Sequence, residues 1–461
     1  MDFQKAKRIF VFSLVILLFH NCLIFAEKKI TREIRVEAIA DLNFSFFSES
    51  FIVSPDVKKV AFVERIGSGS MQVVVNDKPE NLYDNIGIGT PIFAPNSEYV
   101  AYFAFKKGYS GGMFNLFSSK SAWLVISNQT EISQHDDVID YSLIFSPDSR
   151  HIAYAVSPGN LVIDGIPKHW YKPDEEGNFT KEDITLDDYF GLEVSMPFLF
   201  SPDSKRLAFV RQMSGGWCVI VDSLHQKKYD NILLGTPIFS PDSKKIVYAA
   251  VQDDRSFIVL DGVEGTHYDG LDGETITFSL DSKRLAFACK KNGKWHIDLD
   301  GELSEGYDDI GIGSLVFSSN SKRLVYTAQK QGKWIVVLDG QEIAAYDRLV
   351  EKSLAFSPDS KKLAFAAARD DGFVVVDDGR ESIVYEALAI PPVYSPNGKY
   401  LAFGAQTGLE QYVVINSQEG GRYPTLISHK GGKIVFDSNK SLHYLALKDD
   451  QKIYLIEETL K

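Results

Sequence analysis

FSPDSKRLAF, residues 200–209, is the stretch that decides the fold, because variants of it recur along the chain. Further copies lie at 53–62, 93–102, 145–154, 239–248, 278–287, 317–326, 356–365 and 394–403, and a degraded tenth copy at 435–445. The slot held by Pro202 recurs every 38 to 40 residues, apart from two longer intervals of 52 and 55. A fixed period of this length indicates a repeat architecture. Ten units are predicted, starting near residues 51, 92, 144, 199, 238, 277, 316, 355, 394 and 434.

Each unit is predicted to form four strands, named a to d. In the unit that starts at 238, TPIFS gives strand a, IVYAAV strand b, FIVLD strand c and THYD strand d. Val, Ile, Phe and Tyr fill the strands, while Pro, Asp, Ser and Gly fill the turns. A single four-stranded sheet leaves both apolar faces uncovered, so copies must stack around an axis. The sequence therefore predicts an all-β fold, a β-propeller of about ten four-stranded blades with a 39-residue repeat.

A tyrosine follows the Asp or Asn that ends strand c by seven residues in almost every unit. We expect this side chain to pack between blades with its hydroxyl near water. His135 takes the slot in the second unit, and the tyrosines are Tyr83, Tyr171, Tyr229, Tyr268, Tyr307, Tyr346, Tyr385 and Tyr423.

The phrase F-S-P-D-[SG]-K-x-[LI]-A-[FY] resembles the WD40-like β-propeller repeat of the TolB type, which carries an SPD motif. The resemblance covers nearly all of residues 44 to 461 and is specific for the fold, but weakly specific for function. The chain has no match to the amino-terminal α/β domain of TolB. The resemblance therefore implies a propeller scaffold, but it does not imply that this chain has the function of TolB.

The first 26 residues are typical of a secretory signal peptide, with a basic start followed by the apolar run IFVFSLVILLF. Cleavage after Ala26 would leave residues 27–461 as the propeller, in the periplasm or outside the cell, without membrane insertion. An uncleaved amino-terminal anchor is the alternative.

The tenth unit ends after strand c, while ITREIRVEAIADL near the amino end has no unit of its own. We expect this segment to pair with KIYLIE and close a single ring, which removes exposed edges. Two smaller rings or an open arc are the alternatives.

Two insertions interrupt the repeat, at 105–122 between strands b and c of the second unit and at 172–196 before strand a of the fourth. Alternating strand direction places both on the same face of a propeller. Extra loops on a rigid scaffold often bind ligands, although an insertion packed on itself is the alternative. The candidate binding residues are Tyr109, Phe114, Phe117, Trp123, Trp170, Phe179, Tyr189 and Phe190.

An acidic residue follows the tyrosine slot in seven units and lies on that same face. These carboxylates either form an arc of negative potential or start turns through local Asx-type hydrogen bonds. The residues are Asp84, Asp136, Asp230, Asp269, Asp308, Asp347 and Glu386.

The composition and motifs argue against several other functions. A formal charge of −13 disfavours nucleic acid as a partner. Ser110 lies in a G-x-S-x-G string, but a Gly/Ser-rich loop follows it where a hydrolase needs a helix. Scattered histidines give no metal motif, and Asp298 and Asp300 more simply end strand c. Cys218 and Cys289 are expected to be buried, unpaired thiols. No catalytic residue, metal or cofactor is predicted.

The sequence therefore favours an exported, non-enzymatic scaffold that binds an envelope or extracellular protein, or a glycan. The alternative is a carbohydrate-active hydrolase or lyase with carboxylates at the channel of the propeller.

Overall fold

The computed structural model describes residues 30–461 apart from 43–46, 68, 110–119, 158–159, 168–169, 174–178, 183–197, 214 and 312. Within these residues the chain is all β, and the only helix is a single 3₁₀ turn at Ser48–Ser50. No described helix has the length and apolar character needed to span a bilayer. The first strand, β1 (Arg32–Asp41), belongs to the last blade.

The first three blades follow one another in sequence order. Blade 1 contains β2 (Ile52–Val53), β3 (Val60–Ile66), β4 (Ser70–Val75) and β5 (Lys78–Pro79). Blade 2 contains β6 (Asn85–Ile86), β7 (Ile92–Phe93), β8 (Val100–Tyr109), β9 (Lys120–Ser127) and β10 (Thr130–His135). Blade 3 contains β11 (Ile144–Phe145), β12 (Ile152–Val156), β13 (Asn160–Ile163) and β14 (Ile166–Pro167), and a separate hairpin, β15 (Trp170–Pro173) with β16 (Phe179–Glu182), follows it.

The next four blades repeat the same order. Blade 4 contains β17 (Leu199–Phe200), β18 (Leu207–Met213), β19 (Gly216–Val221) and β20 (Leu224–Tyr229). Blade 5 contains β21 (Asn231–Ile232), β22 (Ile238–Phe239), β23 (Ile246–Gln252), β24 (Arg255–Leu260) and β25 (Val263–Glu264). Blade 6 contains β26 (Gly270–Phe278), β27 (Leu285–Lys291), β28 (Lys294–Leu299) and β29 (Glu302–Leu303). Blade 7 contains β30 (Asp309–Ile310), β31 (Val316–Phe317), β32 (Leu324–Lys330), β33 (Lys333–Leu338) and β34 (Gln341–Tyr346).

The last three blades complete the ring. Blade 8 contains β35 (Arg348–Leu349), β36 (Ala355–Phe356), β37 (Leu363–Arg369), β38 (Gly372–Asp377) and β39 (Arg380–Glu381). Blade 9 contains β40 (Ala387–Tyr394), β41 (Leu401–Thr407), β42 (Glu410–Ile415) and β43 (Gln418–Tyr423). Blade 10 contains β44 (Thr425–Leu426), β45 (Val435–Phe436), β46 (Ser441–Leu447) and β47 (Lys452–Leu460), with β1 as its outer strand.

The ring is closed, because each of ten buried apolar clusters joins two consecutive blades. The tenth cluster packs Val60 and Phe62 of blade 1 against Leu445 and Ile453 of blade 10. The prediction of one ring closed by the amino-terminal strand is confirmed, since β1 runs antiparallel to β47 and so pairs with KIYLIE. Two smaller rings and an open arc are excluded.

The SPDS motif forms the turn between strands a and b and joins neighbouring blades. In blade 5 the buried Ser240 hydroxyl donates to Asp242 Oδ1 over 2.6 Å, and that oxygen accepts the Lys244 N–H. Ser243 has a φ of 62°, and its hydroxyl accepts the N–H of Asp203 from blade 4 over 2.9 Å. Equivalent hydroxyl bonds join every pair of blades from 1 to 8. The repeated serines therefore hold successive blades in register.

Removing one such bond should have a small, measurable effect. Ser243→Ala is expected to lower the free energy of unfolding by about 1 kcal/mol, because the Asp203 N–H loses its acceptor. Ser417→Ala is the control, since Ser417 has the same left-handed backbone (φ 66°) but an exposed side chain. Thermal denaturation would measure both variants, and equal melting temperatures would contradict this role.

The repeated tyrosine packs between blades, as predicted, and in several blades its hydroxyl donates to a carboxylate. Tyr229, which ends blade 4, meets Tyr248 of blade 5 edge to face with 6.2 Å between ring centroids. Its hydroxyl donates to Glu264 over 3.0 Å. Tyr268 likewise donates to the buried Asp298, and Tyr346 to Glu381. Among these three bonds, the hydroxyl is buried with its acceptor only at Tyr268, where the expectation of a hydroxyl near water is wrong, whereas the bond from Tyr346 to Glu381 is exposed.

Candidate functional site

Strand a of most blades is broken in its middle by a bulge. In blade 5, β21 and β22 both pair with β23, and residues 233–237 project between them. We call this five-residue segment the inner bulge; in blades 2 and 3 it spans 87–91 and 139–143. Contacts between the first strands of adjacent blades, such as β2 with β7, show that this edge of each sheet faces the ring axis.

A hydroxyl anchors the inner bulge to the long strand b beside it. In blade 3 the Ser142 hydroxyl donates to the Ile139 carbonyl over 2.6 Å and accepts the N–H of Ala155 over 3.0 Å. Thr236 and Ser353 make the same pair of bonds in blades 5 and 8. The bulge is therefore a preorganised part of the inner wall.

Tyr141 is an aromatic residue of the inner wall with a left-handed backbone. Its φ is 61°, a region that bulky side chains rarely adopt, and Lys352 has a φ of 54° at the same slot of blade 8. Gly89 of blade 2 and Gly235 of blade 5 hold the same slot. A Cβ built on Gly89 would lie 2.5 Å from the Tyr141 ring, so the ring rests directly on this glycine. Despite that contact Tyr141 is 61% exposed. Strained residues that point into solvent are typical of functional sites.

Other exposed apolar side chains lie in the same sector of the ring. Ile88 of blade 2 is 59% exposed, and its carbonyl accepts the Tyr141 N–H over 3.3 Å. Leu234 occupies the bulge of blade 5 and is 62% exposed. Asp140 caps the Ile88 N–H over 3.1 Å, and burial raises the pKa of its carboxyl, with the Asp137 charge adding to the effect. In the described residues, the inner wall of blades 2, 3 and 5 thus combines exposed apolar groups with carboxylates.

The first insertion lengthens the hairpin between strands b and c of blade 2. β8 extends to Tyr109, whose Cα pairs with that of Lys120 in β9. Residues 110–119, which include Ser110, Phe114 and Phe117, lie outside the described part of the chain. Trp123 is half-buried, with its ring 5.2 Å from Phe105, and packs in the core between blades 2 and 3. Trp123 therefore supports the blade interface.

The second insertion begins as a two-stranded hairpin. The backbones of Trp170 and Tyr171 lie in β15, and that of Phe179 in β16. β15 contacts β20, the outer strand of blade 4. Tyr189 and Phe190 lie outside the described residues. The hairpin thus lies against the outer strand of blade 4, whereas Tyr141 lies on the inner wall of blade 3.

The seven acidic residues after the tyrosine slot mostly cap turns. Asp230 accepts the N–H of Asp253 over 2.9 Å, and Asp269, Asp308 and Glu386 accept equivalent bonds from the turn between strands b and c. Asp84 accepts the N–H of Lys107, which lies within the extended strand β8. A local Asx-type turn was the wrong expectation for these five, because the donor lies 22 or 23 residues later.

Three of these acidic residues form ion pairs with basic side chains of the preceding blade. Arg255 contacts Asp269 over 2.6 Å, Lys294 contacts Asp308 over 2.6 Å, and Lys333 pairs with Asp347. Asp136 is exposed. Three of the seven carboxylates thus have a basic partner that offsets their charge.

The reactive groups elsewhere are engaged in the scaffold. Cys218 and Cys289 are free and buried, as predicted, and burial raises their pKa values to about 11 and about 12. Asp298 binds the Tyr268 hydroxyl and the Gly301 N–H, while Asp300 pairs with Arg284. In the residues that the structure describes, no three His, Cys, Asp or Glu side chains are grouped to hold a metal ion.

Sequence reasoning missed Tyr141, Ile88 and Leu234. The available signal was a tyrosine in a bulge slot that glycine holds in blades 2, 5 and 7, at Gly89, Gly235 and Gly313. Tyr141 lies in the regular step of 12 residues from His135 to Pro147, so it does not change the spacing of the repeat.

Comparisons with known proteins give only distant structural similarity. No family model matches the chain, and no curated protein sequence matches it significantly. A crystal structure of the eukaryotic initiation factor is 11% identical with a TM-score of 0.42, covering 81% of this chain and 96% of that one. The Dos1 propeller is 10% identical with a TM-score of 0.32, covering 81% and 92%. TolB from Acinetobacter baumannii is 17% identical with a TM-score of 0.26, covering 68% and 78%. The ten sheets themselves establish that the chain is a ten-bladed β-propeller.

Proposed function

We propose that this chain is an exported, non-enzymatic β-propeller of the TolB-like, WD40-like repeat type that binds an envelope or extracellular protein, or a glycan. The binding surface is the inner wall of blades 2 to 5 together with the two insertions at 105–122 and 172–196. Export rests on the signal-like segment 1–26, and amino-terminal sequencing of the mature protein should begin at Glu27.

Tyr141 is the single observation that carries the proposal. The Tyr141 ring rests on Gly89 but stays 61% exposed, so a bound partner could bury most of its surface. Its left-handed backbone is of the kind that clusters at functional sites. Aromatic side chains contribute large contact areas to binding sites and stack on sugar rings or apolar side chains. Asp137 and Asp140 beside it add acceptors for hydroxyl or amide donors.

The insertions support the same location. They come from blade 2 and from the connection between blades 3 and 4, so they flank the blade that carries Tyr141. Long loops above a rigid wall are the usual place for recognition in scaffold proteins.

Replacing residues 110–119 with an Asn-Gly turn should abolish partner capture from an envelope extract while the melting temperature stays unchanged. Asn-Gly is a turn that fits a two-residue hairpin, as at Asn292 and Gly293 of blade 6. Leu409→Ser is the control, because Leu409 is 92% exposed on blade 9. Undiminished capture by the shortened variant would refute a role for the insertion.

A carbohydrate-active hydrolase or lyase is the second candidate, because the raised pKa of Asp140 would suit a proton donor beside the inner wall. A carbohydrate array followed by product analysis separates the two functions. A binder retains the glycan and releases no shortened or unsaturated sugar, whereas product that disappears in Asp140→Asn would establish the enzyme.

A further inference from the structure

The outer edge of β1 differs from the outer edges of the other blades. The outer strands of blades 1, 3, 5, 6 and 8 have two residues each, and those of blades 2, 4, 7 and 9 have six. β1 has ten residues, and no described strand pairs with its second edge. Proteins usually shorten or cover such edges because they recruit other strands.

The register of β1 against β47 shows which backbone groups face outward. The Lys461 N–H donates to the Thr31 carbonyl over 2.9 Å, so residue 31 bonds inward. Antiparallel strands alternate between bonded and non-bonded pairs, and the register runs unbroken from Arg32 to Ala38. The N–H and carbonyl groups of Arg32, Ile34, Val36 and Ala38 therefore point away from β47. They form a continuous free edge.

The side chains along this edge also suit strand pairing. Ile34 and Val36 are 42% and 41% exposed, although β-branched residues favour paired strands. Glu33, Arg35 and Glu37 alternate with them, and the charged groups of Arg35 and Glu37 are 73% and 56% exposed. The edge is therefore apolar on one face and charged on the other.

The charge order on β1 is complementary to itself. In an antiparallel pair centred on Ile34 of each copy, Glu33 lies opposite Arg35 of the other strand, and the reverse pair forms by symmetry. In a pair centred on Val36, Arg35 lies opposite Glu37 twice. Cross-strand pairs of opposite charge stabilise sheets, whereas like charges oppose pairing. Pairings centred on Glu33, Arg35 or Glu37 instead set like charges opposite each other.

We propose that the outer edge of β1 pairs antiparallel with β1 of a second copy of this chain, which gives a two-fold symmetric dimer. The five-stranded sheets of blade 10 in the two copies then become one continuous sheet. The interface is small, so the dissociation constant is expected in the micromolar range. The dimer leaves the inner wall around Tyr141 free, and it is independent of the proposed binding function.

Val36→Pro tests this proposal by sedimentation velocity of the full chain. Proline removes the outward N–H and blocks the edge, whereas the inward bonds of β1 to β47 stay intact. The dissociation constant of the dimer should rise at least tenfold while the melting temperature changes little. Val36→Thr is the control, because it keeps the N–H and the β-branched shape, and it should still dimerise.

A charge exchange gives a second, independent test. Arg35→Glu leaves three acidic residues on the edge and should give monomers, as should the double variant Glu33→Lys with Glu37→Lys. Mixing the two variants should restore dimers that contain one copy of each. A wild-type chain that stays monomeric at about 100 µM would overturn the proposal. So would a dimer that Val36→Pro leaves intact, or a Val36-dependent capture of a different protein by a monomeric chain.

Discussion

Arg32→Met is expected to lower the free energy of unfolding by about 3–5 kcal/mol, which is the usual effect of breaking a buried ion pair. The Arg32 and Glu458 side chains are 8% and 0% exposed, and their charged groups lie 3.3 Å apart. The Arg32 guanidinium also donates to the carbonyls of Val413 and Gln418 in blade 9. Without Arg32, the Glu458 carboxylate stays buried with the Tyr444 hydroxyl, 2.7 Å away, as its neutral donor.

This prediction also tests how the ring closes, because Arg32 joins β1 to both blade 9 and blade 10. The control is Arg35→Met, which removes an exposed contact with Glu457 and should cost no more than about 0.5 kcal/mol. Combining Arg32→Met with Glu458→Gln should recover part of the lost stability, because no buried charge then lacks a partner. Chemical denaturation would measure the three variants. Equal losses for Arg32→Met and Arg35→Met would contradict the assigned role.

Tyr141→Asn is expected to weaken partner binding by at least about 30-fold, equivalent to roughly 2 kcal/mol, as for a central aromatic anchor. Asparagine tolerates the left-handed backbone at this position, so the inner bulge should keep its shape. Because the tyrosine ring is largely exposed, the melting temperature should hardly change. Binding is measured with the partner captured by the wild-type chain.

Two further variants make the test of Tyr141 specific. Gly89→Ala places a Cβ where the Tyr141 ring now rests, so it should displace the ring and weaken binding as well. Leu409→Ser alters an exposed apolar residue on the far side of the ring and should leave affinity unchanged. Equal affinity of the wild-type chain and Tyr141→Asn would mean that the partner does not contact the inner wall.

The sequence was sufficient to predict the architecture of the ring because the relevant information is periodic. The recurring SPDS turn and the tyrosine slot located ten blades, and the missing strand d of the last unit predicted the pairing of β1 with β47. The same reasoning predicted buried thiols at Cys218 and Cys289.

Other features could not be predicted, because they depend on contacts between residues far apart in the chain. The acceptor of the Tyr229 hydroxyl lies 35 residues later, at Glu264. Asp230 caps a turn 23 residues away, so its role is invisible to a local turn rule. Arg32 meets Glu458 across 426 residues, a pairing that exists only once the ring has closed.

The candidate site was predicted only in part. The lengths of the two insertions led to the hypothesis that blades 2 to 4 carry the site, and Trp123 of that set packs in a blade interface. Tyr141 escaped notice because its unusual features are a positive φ and solvent exposure, neither of which changes the spacing of the repeat.

Site-specific photo-crosslinking is the most direct test of where the protein binds. A photoreactive phenylalanine analogue would replace Tyr141 in one sample and Leu409 in another, and each would be irradiated in an envelope extract. The account predicts a discrete covalent adduct at position 141 and none at position 409. An adduct at 409 alone, or no adduct at 141 while the wild-type chain still captures a partner, would contradict it.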